Sequence, residues 1–281
     1  MIEQLHCLRK MSIPKSCCFT GFLEHGEPTG SDEIYAGFAC YVSKPEKPGK
    51  QAIIIAPDAF GYTLMNTRLI ADNFAKRGYL VIMPDIFNGF LISTEMLDPV
   101  FGFNLPETKS FFQKFKLTMY RTWCFIKCIP TMFKFMKHEP KSKLPIIAAI
   151  STELRKSGYK IGIQGYCFGG SIGILSGATA YVDAVVACHP GQFNVKIDTN
   201  ALNVPTFFLL AEEDFMLKEK NILIMKEIAS KHATEIKIKQ FKGTAHGFAV
   251  RCDTRHDNLK EAKEEAFENA IEFFKLNLSK S

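Results

Sequence analysis

Nowhere does this sequence hold a run of about 18 uncharged apolar residues, so it offers no segment that reads as a membrane-spanning helix. Positions 1–14 break short apolar pieces with Glu3, His6, Arg9 and Lys10, which is not the continuous apolar core of a secretory leader, and a cytoplasmic location is expected. There is no C-x-x-C pair: the nine cysteines are odd in number and irregularly spaced, so reduced thiols are expected rather than structural zinc or a disulfide framework. The formal net charge of +6 is modest and mostly dispersed, which argues against a nucleic-acid partner. Internal repeats, low-complexity tracts and Gly/Ser linkers are also missing, so the 281 residues read as one domain, 1–281.

What is present is a chain with 47% hydrophobic residues, long enough for one large core. From residue 51 onward, short β-branched runs alternate with helical patterns, the signature of parallel strands joined by crossover helices. Strands are expected at 52–56, 79–83, 160–164, 183–187, 205–210 and 235–240, with an additional edge strand at 35–42. Helical spacing marks 66–76, ending at Gly78, and 145–156, ending at Gly158. Residues 258–276 set Ala262, Ala266, Ala270, Ile271 and Phe274 on one face. The expected class is α/β, a mostly parallel sheet flanked by helices, interrupted by an insertion at 90–143.

Gly165-Tyr-Cys-Phe-Gly169 lies between one of these strands and a helix. A nucleophile lifted on a sharp strand-to-helix turn needs small neighbours, and G-x-C-x-G supplies them. At a helix N-terminus the Cys167 sulfur would be favoured as thiolate, and the Phe168 N–H would face an oxyanion. Alone, the motif fits a packing role as well as a catalytic one. Chain order separates the two: Asp214 follows the strand at 205–210, and His246 follows the last strand. Nucleophile, acid and base in that order, each past a strand end, form the hydrolase arrangement. His246 would handle the proton and Asp214 would fix its orientation.

These segments resemble the dienelactone hydrolase family. The resemblance runs through 165–170, 211–214 and 246–248, and through Pro57-Asp-Ala-Phe-Gly61 and 78–85. Cys17-Cys18 with Gly26-Glu-Pro-Thr-Gly30 looks like its eukaryotic, particularly fungal, branch. The resemblance implies an α/β-hydrolase fold, a Cys-Asp-His triad and cleavage of small esters or lactones without metal or organic cofactor. It also implies a second oxyanion donor at the Ala59 N–H and an acidic residue at Asp58, where bacterial members carry Glu. Arg251 is the nearest candidate for their carboxylate-binding arginine, displaced by one residue. A second such arginine of the bacterial enzymes has no counterpart, since Asn88-Gly89 follows Phe87. His189, after a strand, could line the pocket but reads more simply as a structural loop histidine, and Asp85 reads as a rim residue bonded to backbone.

The segment 109–137 has no acidic residue and interleaves Lys114, Lys116, Arg121, Lys127 and Lys134 with eight aromatics. Such a segment can cover an active site, lie on a membrane surface or receive a partner. The plain expectation is a helical cap, broken near Pro130, with its aromatic face packed over the core. Two rival functions stand beside the ester hydrolase. A glutamine amidotransferase would need a late His-x-Glu pair, and the sequence has His246-Gly-Phe. A membrane- or protein-binding module would keep the triad only as a vestige.

Overall fold

Elements follow one another in the expected alternation. They are β1 (Ser31–Tyr35), β2 (Phe38–Ser43), β3 (Gln51–Ala56), α1 (Met65–Lys76), β4 (Leu80–Pro84), α2 (Phe111–Phe135), a 3-10 turn (Pro140–Lys143) and α3 (Leu144–Lys156). Then come β5 (Lys160–Tyr166), α4 (Phe168–Gly177), β6 (Ala184–Cys188), α5 (Val195–Asn200), β7 (Thr206–Glu213), α6 (Glu219–Lys231), β8 (Ile236–Ala245), α7 (Phe248–Arg251) and α8 (Asp257–Leu278). The computed structural model describes residues 23–24, 26–90 and 110–279; Cys17-Cys18, and residues 91–109 of the insertion, lie outside them.

The eight strands form one sheet in the order β1-β2-β4-β3-β5-β6-β7-β8. β1 and β2 pair antiparallel with each other, and β2 pairs antiparallel with β4. All other neighbours are parallel. Strands buried on both faces need not alternate, which is why Ile53, Ile54 and Ile55 are all fully buried. Ile53 and Ile55 join Phe74 of α1 and Phe274 of α8 on one face; Ile54 and Ile163 join Ile147 of α3 and Ile172 of α4 on the other. The buried carboxylate of Asp72 on α1 accepts the Tyr41 hydroxyl at 2.8 Å and the Ser43 hydroxyl at 2.7 Å. Helix α1 is thereby locked to β2.

Two local expectations are corrected. The strand expected at 35–42 is a hairpin, because Ala36 (φ 51°) and Gly37 (φ 87°) both take positive φ and turn the chain back on itself. That pair of dihedrals is the tight hairpin turn that matches strand twist. The second correction concerns α2, which runs unbroken through Pro130 for 25 residues. Pro130 and Ile126, whose carbonyl would have accepted the missing N–H, are both exposed, so water can satisfy the carbonyl. Nor does the aromatic face pack over the core: Phe112 is 80% exposed and Phe115 60%. The inward stripe is narrow, with Cys124 and Cys128 as the helix's buried residues.

Candidate active site

The parallel strands point their C-terminal ends to one rim, where loops after β3, β5, β6, β7 and β8 converge. Cys167 takes φ 50° and ψ −114° between β5 and α4, a strained backbone for a residue with a side chain. Its surroundings hold it there. Its N–H donates to Cys188 O at 3.2 Å, and its carbonyl accepts from Gly191 N–H at 2.7 Å. A Cβ on Gly165 would lie 2.3 Å from Gly169 O, so the two motif glycines exist to let these backbones cross. Phe168 begins α4, where the first amides of a helix have no partner within it.

Ala59 sits in the adjoining turn after β3, which is fastened by Gly61 N–H to Asp58 O and Phe60 N–H to Asp58 Oδ1, both 3.0 Å. Gly169 N–H donates to Pro57 O at 3.1 Å and ties this turn to the elbow. The amides of Ala59 and Phe168 are therefore carried by two loops that bond each other.

Asp214 and His246 meet because β7 and β8 run on beyond the main sheet. Past an irregularity between Ala211 and Glu213, Glu213 still pairs with Ala245. The residues one step further, Asp214 and His246, then join side by side: His246 Nδ1 lies 3.0 Å from Oδ1 and 2.9 Å from Oδ2. Both side chains are almost wholly buried. Asp214 Oδ1 also accepts the Met216 N–H at 2.8 Å, which fixes the carboxylate.

Burial pulls the His246 imidazolium toward the neutral form, but the negative charge of a Cys167 thiolate and the Asp214 carboxylate outweigh it and raise His246 to about 10. The Cys167 sulfur acts on His246 both as a charge and as a hydrogen-bonding group, although no bond of ordinary geometry closes to Nε2 among the described residues. Such contacts often close only when substrate is bound.

Sequence reasoning allowed His189 to line the pocket but favoured a structural loop histidine and gave it no catalytic role; its ring centre is 5.0 Å from that of His246. It follows β6, the neighbour of β5, and that adjacency was the available signal. His189 is fully buried, takes φ 34° and has no hydrogen-bond partner for either ring nitrogen among the described residues. Burial, then the charges of His246 and Arg251, hold it well below the usual histidine range, hence neutral. A neutral ring there avoids a second cation against His246.

Asp58 and Arg251 are brought together as a buried ion pair, Arg251 Nε to Asp58 Oδ2 at 2.9 Å, with the guanidinium 4.4 Å over the Phe60 ring. Arg251→Ala would leave a buried carboxylate unpaired, and we expect a loss of about 3–5 kcal/mol in urea unfolding. A loss below about 1 kcal/mol would mean that water reaches Asp58 instead. Asp85 behaves as a rim residue, accepting the N–H groups of Phe87 at 3.0 Å and Gly89 at 2.6 Å.

The sequence profile of the dienelactone hydrolase family matches residues 38–278. The chain belongs to that family. It is 30% identical over 270 residues to the hydrolase pyvD of Aspergillus violaceofuscus, covering 95% of this chain and 98% of that one. It is 29% identical over 243 residues to the human carboxymethylenebutenolidase homolog, covering 85% and 87% of the two chains. Among solved structures, a candidate dienelactone hydrolase from Klebsiella pneumoniae superposes with a TM-score of 0.63 at 17% identity, covering 91% and 96%. The mostly parallel eight-stranded sheet flanked by helices is thus the α/β-hydrolase fold, and this dienelactone hydrolase-like chain falls in a class of ester-cleaving hydrolases.

Proposed function

We propose that this hydrolase opens a small ester or lactone through an acyl-cysteine intermediate, with Cys167 as nucleophile, His246 as proton carrier and Asp214 as the group that orients it. The observation that carries the reading is the buried Asp214–His246 hydrogen bond, set on the same rim as a strained, glycine-flanked cysteine. The Cys167 sulfur adds to the substrate carbonyl carbon, and the N–H groups of Phe168 and Ala59 receive the resulting oxyanion. Collapse breaks the carbon–oxygen bond of the ester, and the departing alkoxide takes the proton from His246. Water then attacks the thioester, gives its proton to His246, and the carbon–sulfur bond breaks to restore the thiolate.

Phe215, whose ring lies 5.0 Å from that of His246, offers an apolar or aryl acyl group an aromatic surface beside the triad. With its Nε committed to Asp58, Arg251 is a weaker carboxylate anchor than an unpaired arginine.

The test is intact-mass spectrometry during turnover of p-nitrophenyl acetate and a simple lactone. We expect a transient acetyl adduct that maps to Cys167 and disappears in Cys167→Ala together with product release. An adduct on another residue, or undiminished turnover in Cys167→Ala, would remove the cysteine from the mechanism.

A further inference from the structure

Helix α2 exposes its apolar side. Phe112, Phe115, Met119, Ile126 and Phe133 follow one another at three, four, seven and seven positions, which aligns them on one face. All five are more than half exposed, at 57–80%. The opposite face holds the buried Cys124 and Cys128, and Phe135, which packs against Phe87 and Phe168. Cations line one border of the apolar face: Lys116, Lys127 and Lys134, eleven and seven positions apart, run along that edge, while Lys114 and Arg121 lie further round, toward the cysteine side. Trp123 stands at the same edge as the three lysines, with the Lys127 ammonium 3.8 Å over its ring. No aspartate or glutamate occurs from 109 to 137, so this segment alone accounts for the whole net positive charge of the chain.

From this arrangement we propose that α2 is a docking surface for an anionic lipid bilayer, lying on its side with the apolar face among the acyl chains and the flanking cations at the phosphates. An apolar centre bordered by cations and an edge tryptophan matches the layering of a membrane interface, apolar below and anionic above. The charge selects this occupant. Pairing with a second copy of the same helix would face cations with cations. Nucleic acid would meet phenylalanines where its phosphates need cations. The docking does not depend on the catalytic assignment. Because Phe135 touches Phe168, a docked helix holds the Cys167 elbow close to the lipid surface.

Trp123 is the chain's one tryptophan, so its fluorescence reports on α2 directly in the unaltered protein. With vesicles of phosphatidylcholine plus phosphatidylserine, we expect a blue shift of Trp123 emission, quenching by brominated lipid, and co-flotation that weakens with salt. Pure phosphatidylcholine vesicles should give little of these. The triple change Lys116→Glu, Lys127→Glu and Lys134→Glu should weaken binding at least about 100-fold, each lysine near an anionic surface being worth about fivefold. Phe112→Ser with Phe115→Ser should abolish the blue shift. All five positions are exposed, so both variants should keep the wild-type circular dichroism and the turnover of soluble ester. Equal binding to neutral and anionic vesicles, unshifted Trp123 emission, or undiminished binding by the charge variant would overturn the proposal. A wild-type dimer that the phenylalanine variant converts to monomer would overturn it too, and would assign the face to self-association.

Discussion

His246→Ala is expected to lower kcat/KM for p-nitrophenyl acetate by about 10³–10⁴-fold, because in the proposed mechanism it removes both the proton carrier and the cation that stabilises the thiolate. Asp214→Asn should be nearly as severe and more informative. An amide can still bond Nδ1, but it no longer supplies the negative charge that, with Cys167, lifts His246 to about 10. A histidine that gains an opposite charge holds its proton to higher pH, so removing that charge lets the proton leave earlier. If the active form is the thiolate–imidazolium pair, the alkaline limb of the kcat/KM profile should fall near pH 10 in the wild type and at clearly lower pH in Asp214→Asn. An unmoved limb would sever the link between Asp214 and catalysis, whatever the fall in rate. Both variants should remain folded by circular dichroism, since Asp214 and His246 sit on strand ends rather than among the core residues.

Gly169→Ala is expected to prevent folding or to cost more than about 4 kcal/mol, the range of exceptional single-site effects. A Cβ there would stand 1.9 Å from the Ala56 carbonyl oxygen and 2.6 Å from that of Pro57. Both obstacles are backbone, held by the β3–β5 ladder and by the Gly169 N–H to Pro57 O bond, so neither can move aside. A control lies four residues along the same helix. At Gly173 an added Cβ meets only ordinary contacts of 3.5 Å or more, and alanine is the better helix former, so Gly173→Ala should be neutral or slightly stabilising. Thermal melts of soluble protein compare the two. A Gly169→Ala variant that melts near the wild type would refute the close crossing at the elbow.

The strands of the central sheet were legible because burial on both faces demands unbroken apolar runs, and 52–56, 160–164 and 205–210 are such runs. Tyr35 to Val42 misled for a physical reason: both flanks favour extended backbone, and only the positive φ values of Ala36 and Gly37 reverse the chain. Helix α2 misled differently. Its periodicity was readable, but periodicity gives the faces of a helix without saying which one is covered, and the covered face is the narrow cysteine stripe.

The site divides along the same line. Sequence by itself determined the family, the strand-to-helix context of Cys167, and the order in which Cys167, Asp214 and His246 arrive at strand ends, since these depend on local pattern and on the direction of parallel strands. Tertiary structure alone decided that β7 and β8 extend far enough to set Asp214 against His246, that Arg251 spends its Nε on Asp58, and that His189 rests against the His246 imidazole. Those are contacts between residues distant along the chain, set by sheet order, register and side-chain packing, and no local run of amino acids encodes them.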